Sequence, residues 1–252
     1  MSGHCQLRLL GVEIQLTGDR PVIAEVLAGL GSFADRATVG PLAGTAPLEL
    51  AIAAGADAGA ALAELTRLAV ENSPLLCIHA GVVSARHGTL VIPGSSGLGK
   101  TTLVAALVRA GFGYLSDEVL AFDRSTLALA DFGRPLALAT DSWTLLGLDP
   151  ARRPGPDREQ LVEIESLGRI GEPVAVREIL LAERRPGPAA LQELPRGLAV
   201  QPLLGRSFNH FREPAASFHA VVELIRQTRV WRAGYQDAPE LAELLAARWP
   251  AG

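Results

Sequence analysis

Apolar residues along this chain fall into short β-like runs separated by longer stretches of helical period. Residues 7–16 alternate loosely as a strand does, and a helical pattern then starts at Asp19 with Pro21 in its first turn. Glycines punctuate 29–44, and 58–71 reads as an alanine-rich helix. The run 75–83 is almost wholly apolar, 85–88 is a turn, and 89–92 is β-prone, which together predict a hairpin. Beyond it Leu103, Ala106, Leu107 and Ala110 recur at helical spacing, and Gly111 stands where a C-terminal cap belongs. Residues 114–123 then read as one strand with an acidic pair near its start.

The remainder predicts a short strand over 136–139, a helical turn from Asp141 through Leu148, and a polar, proline-rich surface loop over 149–160. A buried strand at 174–182 follows, then a turn at 184–188. Helices are expected near 196–208 and 215–228, a last strand around 230–235 and a closing helix over 238–247. There are no internal repeats. This divides the chain into an α+β N-terminal segment, 1–73, packing on a larger α/β domain, 74–252.

Composition narrows the class. At 252 residues, 48% apolar and 20% charged, the chain can bury a proper core. A net charge of −4 argues against a surface built for nucleic-acid phosphates. Two cysteines, Cys5 and Cys77, make no disulfide or metal framework, and without a basic, apolar leader the expected location is cytoplasmic. No uncharged apolar run approaches the roughly 18 residues of a membrane span, since 47–70 is interrupted by Glu49, Asp57, Glu64 and Arg67.

The chemistry concentrates at Gly94-Ser95-Ser96-Gly97-Leu98-Gly99-Lys100-Thr101, a complete phosphate-binding loop, with Thr102 next. Lys100 is the only lysine in the chain. Such a loop needs glycines so that successive N–H groups can turn toward an anion. It needs a lysine for the outer phosphates and a hydroxyl for magnesium. The pattern is specific only between a strand and a helix, and 89–92 and 100–109 supply them. The helix N-terminus then adds its dipole to the site.

Two large classes that carry this loop drop out. A guanine-reading Asn-Lys-x-Asp motif needs a lysine that Lys100 has already used, and no Leu-Ser-Gly-Gly-Gln segment occurs. In place of an ordinary second magnesium motif stands Ser116-Asp117-Glu118. Phosphoryl transfer to an alcohol needs a magnesium ligand and a carboxylate for the proton, and adjacent acids could divide those tasks. A solvated acidic pair at a strand start is the bland alternative.

Three blocks in this order resemble HPr kinase/phosphorylase and its shorter relatives, whose fold is shared with phosphoenolpyruvate carboxykinase: His79-Ala80-Gly81-Val82-Val83, the loop from Gly94 to Leu103, and Gly113-Tyr114-Leu115-Ser116-Asp117-Glu118. Arg134-Pro135-Leu136 and Ser207-Phe208-Asn209 look like later segments of the shorter subgroup. The resemblance implies an α/β P-loop kinase core with ATP as donor and magnesium as cofactor. It implies donor binding by Gly94, Ser95, Ser96, Gly97, Leu98, Gly99, Lys100, Thr101 and Thr102. Magnesium would lie on Thr101 and an acid of the pair, taken as Glu118, with Asp117 as general base. The acceptor it implies is a serine of a small protein or of a ribosomally made peptide precursor, and it also implies self-association. The family's Leu-Glu-Ile-Arg-Gly-Leu-Gly signature is only echoed by Val162-Glu163-Ile164-Glu165-Ser166-Leu167-Gly168, which leaves a phosphorylase direction and HPr docking open.

His79, titrating in the useful range, is either a phosphate-side group or a packed structural histidine. Arg134, Arg206 and Arg212 are candidates for a phosphate or acidic-substrate clamp. His210 and His219 lack metal-ligand spacing, and Trp143, Trp231 and Trp249 read as core rather than a base-stacking platform. A small-molecule kinase and a non-catalytic nucleotide-binding module remain the alternatives, as does the choice among ATP, GTP and pyrophosphate.

Overall fold

The computed structural model describes residues 2–31, 47–53, 55–94, 99–155 and 159–250. The chain is mixed α/β, with seven α-helices among the described residues. The N-terminal segment holds β1 (Ser2–Leu9), β2 (Val12–Asp19), α1 (Arg20–Ala28), β3 (Leu48–Ile52) and α2 (Ala58–Asn72). The run expected to be one strand is two, folded back at Leu10 and Gly11, whose φ values are 50° and 79°. A two-residue hairpin with positive φ at both positions matches the twist of its strands, but leucine is not a residue that announces it. β1 pairs antiparallel with β2, and β2 parallel with β3. Asp19 precedes α1 with Pro21 in its first turn, and Asp57 caps α2 by accepting from the Ala60 amide at 2.8 Å.

The larger sheet begins with the expected hairpin, β4 (Leu76–Ala85) and β5 (Gly88–Pro93), antiparallel from Ala80↔Pro93 to Ala85↔Gly88. α3 (Lys100–Arg109) follows, capped at Gly99 with φ 75°, a left-handed position that only glycine adopts cheaply. Next come β6 (Gly113–Ser116) and β7 (Val119–Phe122), then β8 (Leu129–Ala130), β9 (Leu136–Ala139), α4 (Thr140–Leu145), β10 (Glu159–Val162) and β11 (Arg169–Ile170). The chain closes with β12 (Val176–Arg184), β13 (Ala190–Leu194), α5 (Val200–Leu204), α6 (Pro214–Arg226), β14 (Arg229–Tyr235) and α7 (Ala238–Arg248). The strand order is β11-β6-β4-β5-β12-β14-β13, with β7 also on β4.

Three departures from the sequence reading stand out. The stretch 114–123 is two strands rather than one: β4 pairs with β6 at one end and with β7 at the other, and the break falls at Asp117-Glu118. Of the loop expected over 149–160, Pro150–Arg152 form a 3-10 turn and 159–160 belong to β10, which pairs antiparallel with β9, while 156–158 lie outside the described residues. The helix expected over 196–208 is a 3-10 turn at Arg196–Ala199 followed by α5, only five residues long.

The sheet is covered on both faces. On one, Leu90, Ile92, Leu180 and Trp231 pack with Leu103 and Leu107 of α3 and Leu241 and Leu245 of α7. On the other, Ile78, Ala80, Val91 and Ile179 pack with Leu203 of α5 and Val221 and Leu224 of α6. Leu90, Val91 and Ile92 therefore serve opposite faces in turn, as the period of a strand requires. The N-terminal segment joins a third cluster, in which Ile14, Leu16, Val26 and Leu65 meet Cys77, Val119 and Ala121. Trp143, Trp231 and Trp249 are all core residues, as expected. No helix among the described residues is long and apolar enough to cross a membrane.

Candidate active site

β5 ends at Pro93 and α3 starts at Lys100, so the strand–loop–helix context that the phosphate-loop motif demands is present on both flanks. Gly94, Gly99, Lys100, Thr101 and Thr102 are described; Ser95, Ser96, Gly97 and Leu98 lie outside the described residues. The aliphatic chain of Lys100 runs over Gly81 of β4, where an added Cβ would lie 3.3 Å from Lys100 Cγ and 2.6 Å from Val104 Cγ2. Only a glycine at that strand position lets α3 and its lysine approach so closely.

Lys100 Nζ sits 2.6 Å from His79 Nε2. An ammonium can only donate, so Nε2 accepts and the imidazole proton belongs on Nδ1. Burial, together with the charges of Lys100, Arg206 and Arg134, depresses the His79 pKa to about 4 and keeps the ring neutral. Burial also lowers the Lys100 pKa, opposed by Asp117 and Glu118. The structure thus brings His79 against the phosphate-loop lysine itself, with its ring edge-on to Phe208 at 5.7 Å.

The acidic pair reaches the same place. Thr101 Oγ1 donates to Asp117 Oδ2 at 2.9 Å, and the Tyr114 hydroxyl, 3.2 Å from Asp117 Oδ1, also donates to the Arg134 carbonyl at 2.9 Å. Ser116 Oγ accepts from the amides of Glu118 and Val119 at 3.2 and 3.0 Å, which shapes the turn between β6 and β7. The Glu118 carbonyl accepts from the Ala80 amide at 3.1 Å, so the turn is tied to β4 beside His79. The Glu118 carboxylate forms an ion pair with the Arg134 guanidinium through Oε2. Burial raises its pKa, with Arg134 working in the opposite direction.

Two of the three candidate arginines belong here. Arg134 pairs with Glu118, and Arg206 influences both His79 and Lys100 while its buried Nε has no partner among the described residues. The Arg206 carbonyl accepts from the His79 amide at 2.8 Å. Arg212 points elsewhere, to Asn72 Oδ1 at 3.2 Å. Tyr114 is the residue the sequence reading gave no task. An aromatic hydroxyl three positions before an acid was visible, but only the break after β6 turns it onto Asp117.

No family model matches the chain. No curated protein matches it either. The resemblance to the HPr-kinase group therefore rests on the motif blocks quoted above.

The donor set suits magnesium. Thr101 and Asp117 offer a hydroxyl and a carboxylate in mutual contact, while the neighbouring Glu118 carboxylate is engaged by Arg134. No group of three or more His, Cys, Asp or Glu able to hold a metal occurs among the described residues. A magnesium shared with phosphates, on one or two carboxylates, is what such a pair can hold, in contrast to an all-protein cage.

Proposed function

We propose that this chain is an ATP-dependent kinase of HPr-kinase-like type that phosphorylates a serine hydroxyl of a small protein or peptide. The observation that carries the reading is the contact of Thr101 with Asp117, because it joins the phosphate-loop helix to the acidic pair in one site. Lys100, in contact with His79, would meet the outer phosphates, and the neutral ring of His79 adds no competing positive charge. Arg206, whose buried Nε has no partner among the described residues, can supply a further donor to phosphate oxygens.

In P-loop enzymes the magnesium is held by the loop hydroxyl and an acid near it, and when bound it neutralises charge on the phosphates. Thr101 and Asp117 fit that duty by their contact. This leaves Glu118 to take the proton, which exchanges the roles the family resemblance implies for the two acids. The serine O–H would lose its proton to Glu118 as the oxygen attacks the terminal phosphorus. The bond to the bridging oxygen then breaks and the nucleoside diphosphate leaves. Arg134 holds the Glu118 carboxylate in place for that step.

The test is phosphopeptide formation from serine-containing peptides with magnesium and ATP. The wild-type chain should give product and Lys100→Ala none. Nucleotide binding with no product from any peptide would favour a sensor module, and turnover of a metabolite without peptide would favour a small-molecule kinase.

A further inference from the structure

Parallel strands start at the same end of a sheet, and in this chain those starts gather arginines. Arg177 is the second residue of β12, Arg229 is the first of β14, and Arg196 opens the 3-10 turn that follows β13. Arg248 ends α7, and all four line one cavity of about 450 Å³, within the size range of small-ligand sites. The phosphate loop lies at the other end. β5 runs parallel to β12, and its six residues carry the chain about 17 Å from Gly88, near this cavity, to Pro93, where the loop begins.

These guanidinia are held in place without carboxylates. The stem of Arg177 lies across Gly88, where φ is 146° and an added Cβ would collide with Arg177 Cγ. Arg196 Nη1 donates to the Arg226 carbonyl at 2.9 Å, and Arg248 Cζ stands 4.3 Å from the centroid of the Trp231 ring. None of the four makes an ion pair among the described residues. The only acid in the wall among those residues is Glu178, which is buried and already engaged. Its Oε2 accepts from Trp231 Nε1 at 2.6 Å, and its Oε1 faces His87 Nε2 at 3.4 Å.

One engaged carboxylate among four guanidinia leaves an excess of positive charge, in a chain whose net charge is −4. Like charges gathered in a concavity repel one another, and an anion bound between them relieves that cost. Guanidinium forks match the oxygens of phosphate and carboxylate groups alike. A single concavity on an otherwise acidic chain suits a compact anion better than a nucleic-acid backbone, which needs cations along an extended surface.

We propose that this cavity binds a compact polyanion, a small molecule bearing two or more phosphate or carboxylate groups, at a site separate from the phosphate loop. The inference does not depend on the kinase reading. Arg177 and Arg229 are exposed, so glutamine at either position removes the charge, keeps the start of the side-chain stem and leaves the core alone. Arg232, an exposed arginine of β14 outside the cavity, provides a control with the same change of charge.

The experiment is calorimetric titration of the full chain, without magnesium, with citrate and with inorganic tripolyphosphate, which separate a carboxylate ligand from a phosphate ligand. It is run on the wild type and on Arg177→Gln, Arg229→Gln, Arg232→Gln and Lys100→Ala. At least one probe should bind the wild type with a Kd of about 1 mM or tighter. Arg177→Gln and Arg229→Gln should each weaken that binding about tenfold, the loss expected for one charge-assisted hydrogen bond. Arg232→Gln should leave it unchanged, and Lys100→Ala should leave the arginine-dependent binding in place. Failure of both probes to bind would overturn the proposal. So would equal weakening by Arg232→Gln, or binding that depends on Lys100 and not on Arg177 and Arg229.

Discussion

The Thr101 hydroxyl donates to Asp117 Oδ2 across 2.9 Å, and this contact joins two motifs separated by a helix and a strand. It exists because β5, which leads into α3, and β6 both run antiparallel to β4, so the start of α3 at Lys100 and the end of β6 at Ser116 lie at the same end of the strands. It also distinguishes the two acids. Asp117→Asn is expected to lower transfer by about 10²- to 10⁴-fold and to raise the magnesium concentration needed for half-maximal rate. Glu118→Gln should lower transfer by a similar factor with the magnesium dependence unchanged. Steady-state rates across a magnesium series decide this, and the reverse pattern would return the proton-accepting role to Asp117.

His79 carries a pH signature. Its pKa is about 4 in the folded chain and near 6.5 when unfolded, so the unfolded state takes the proton first as pH falls. Its contribution to stability is therefore full above about 6.5 and is lost as pH falls toward about 4. Urea unfolding between pH 4 and 7 should show a smaller loss on acidification in His79→Gln than in the wild type. A parallel pair of curves would mean that burial and the neighbouring cations do not keep the ring neutral in the folded chain.

Gly81 is where the strand makes room for the lysine. Gly81→Ala would place a methyl 2.6 Å from Val104 Cγ2 and 3.3 Å from Lys100 Cγ, so α3 or the lysine must move. Overpacking of this kind costs about 1–3 kcal/mol. The expected result is a loss of that size in urea unfolding together with weaker binding of the donor. Unchanged binding would show that the lysine does not depend on this approach.

Asn209 holds the C-terminal half of the chain to the start of β4. It is fully buried; its Oδ1 accepts from the Cys77 amide at 3.1 Å, and Nδ2 donates to the Ser73 and Leu75 carbonyls at 3.2 and 2.8 Å. Asn209→Ala would leave those backbone groups without partners, and a destabilisation of roughly 2–4 kcal/mol is expected in urea unfolding. The Ser207-Phe208-Asn209 segment thus has a structural task next to His79, since Phe208 meets the His79 ring.

Much of the site was legible because its chemistry is local. The β4–β5 hairpin follows from a long apolar run and a turn at Gly88, and α3 follows from its period and its glycine cap. The convergence of His79, Lys100 and Asp117 was legible only as order along the chain. What stayed hidden is set by tertiary pairing. The β-prone residues on both sides of Ser116-Asp117-Glu118 read as one strand and conceal the break there, where β4 passes from pairing with β6 to pairing with β7. The exposed edge strand β13 has mostly polar or half-exposed positions and no apolar run to reveal it. The pairing of Arg134 with Glu118 and the departure of Arg212 toward Asn72 depend on contacts that spacing does not encode.

The most direct measurement is mass spectrometry of a pool of small serine-containing peptides, some with a C-terminal serine, incubated with the protein, magnesium and ATP. The account predicts a phosphoryl group added to serine by the wild type and absent with Lys100→Ala. ATP bound in a Lys100-dependent way with no peptide modified would contradict it.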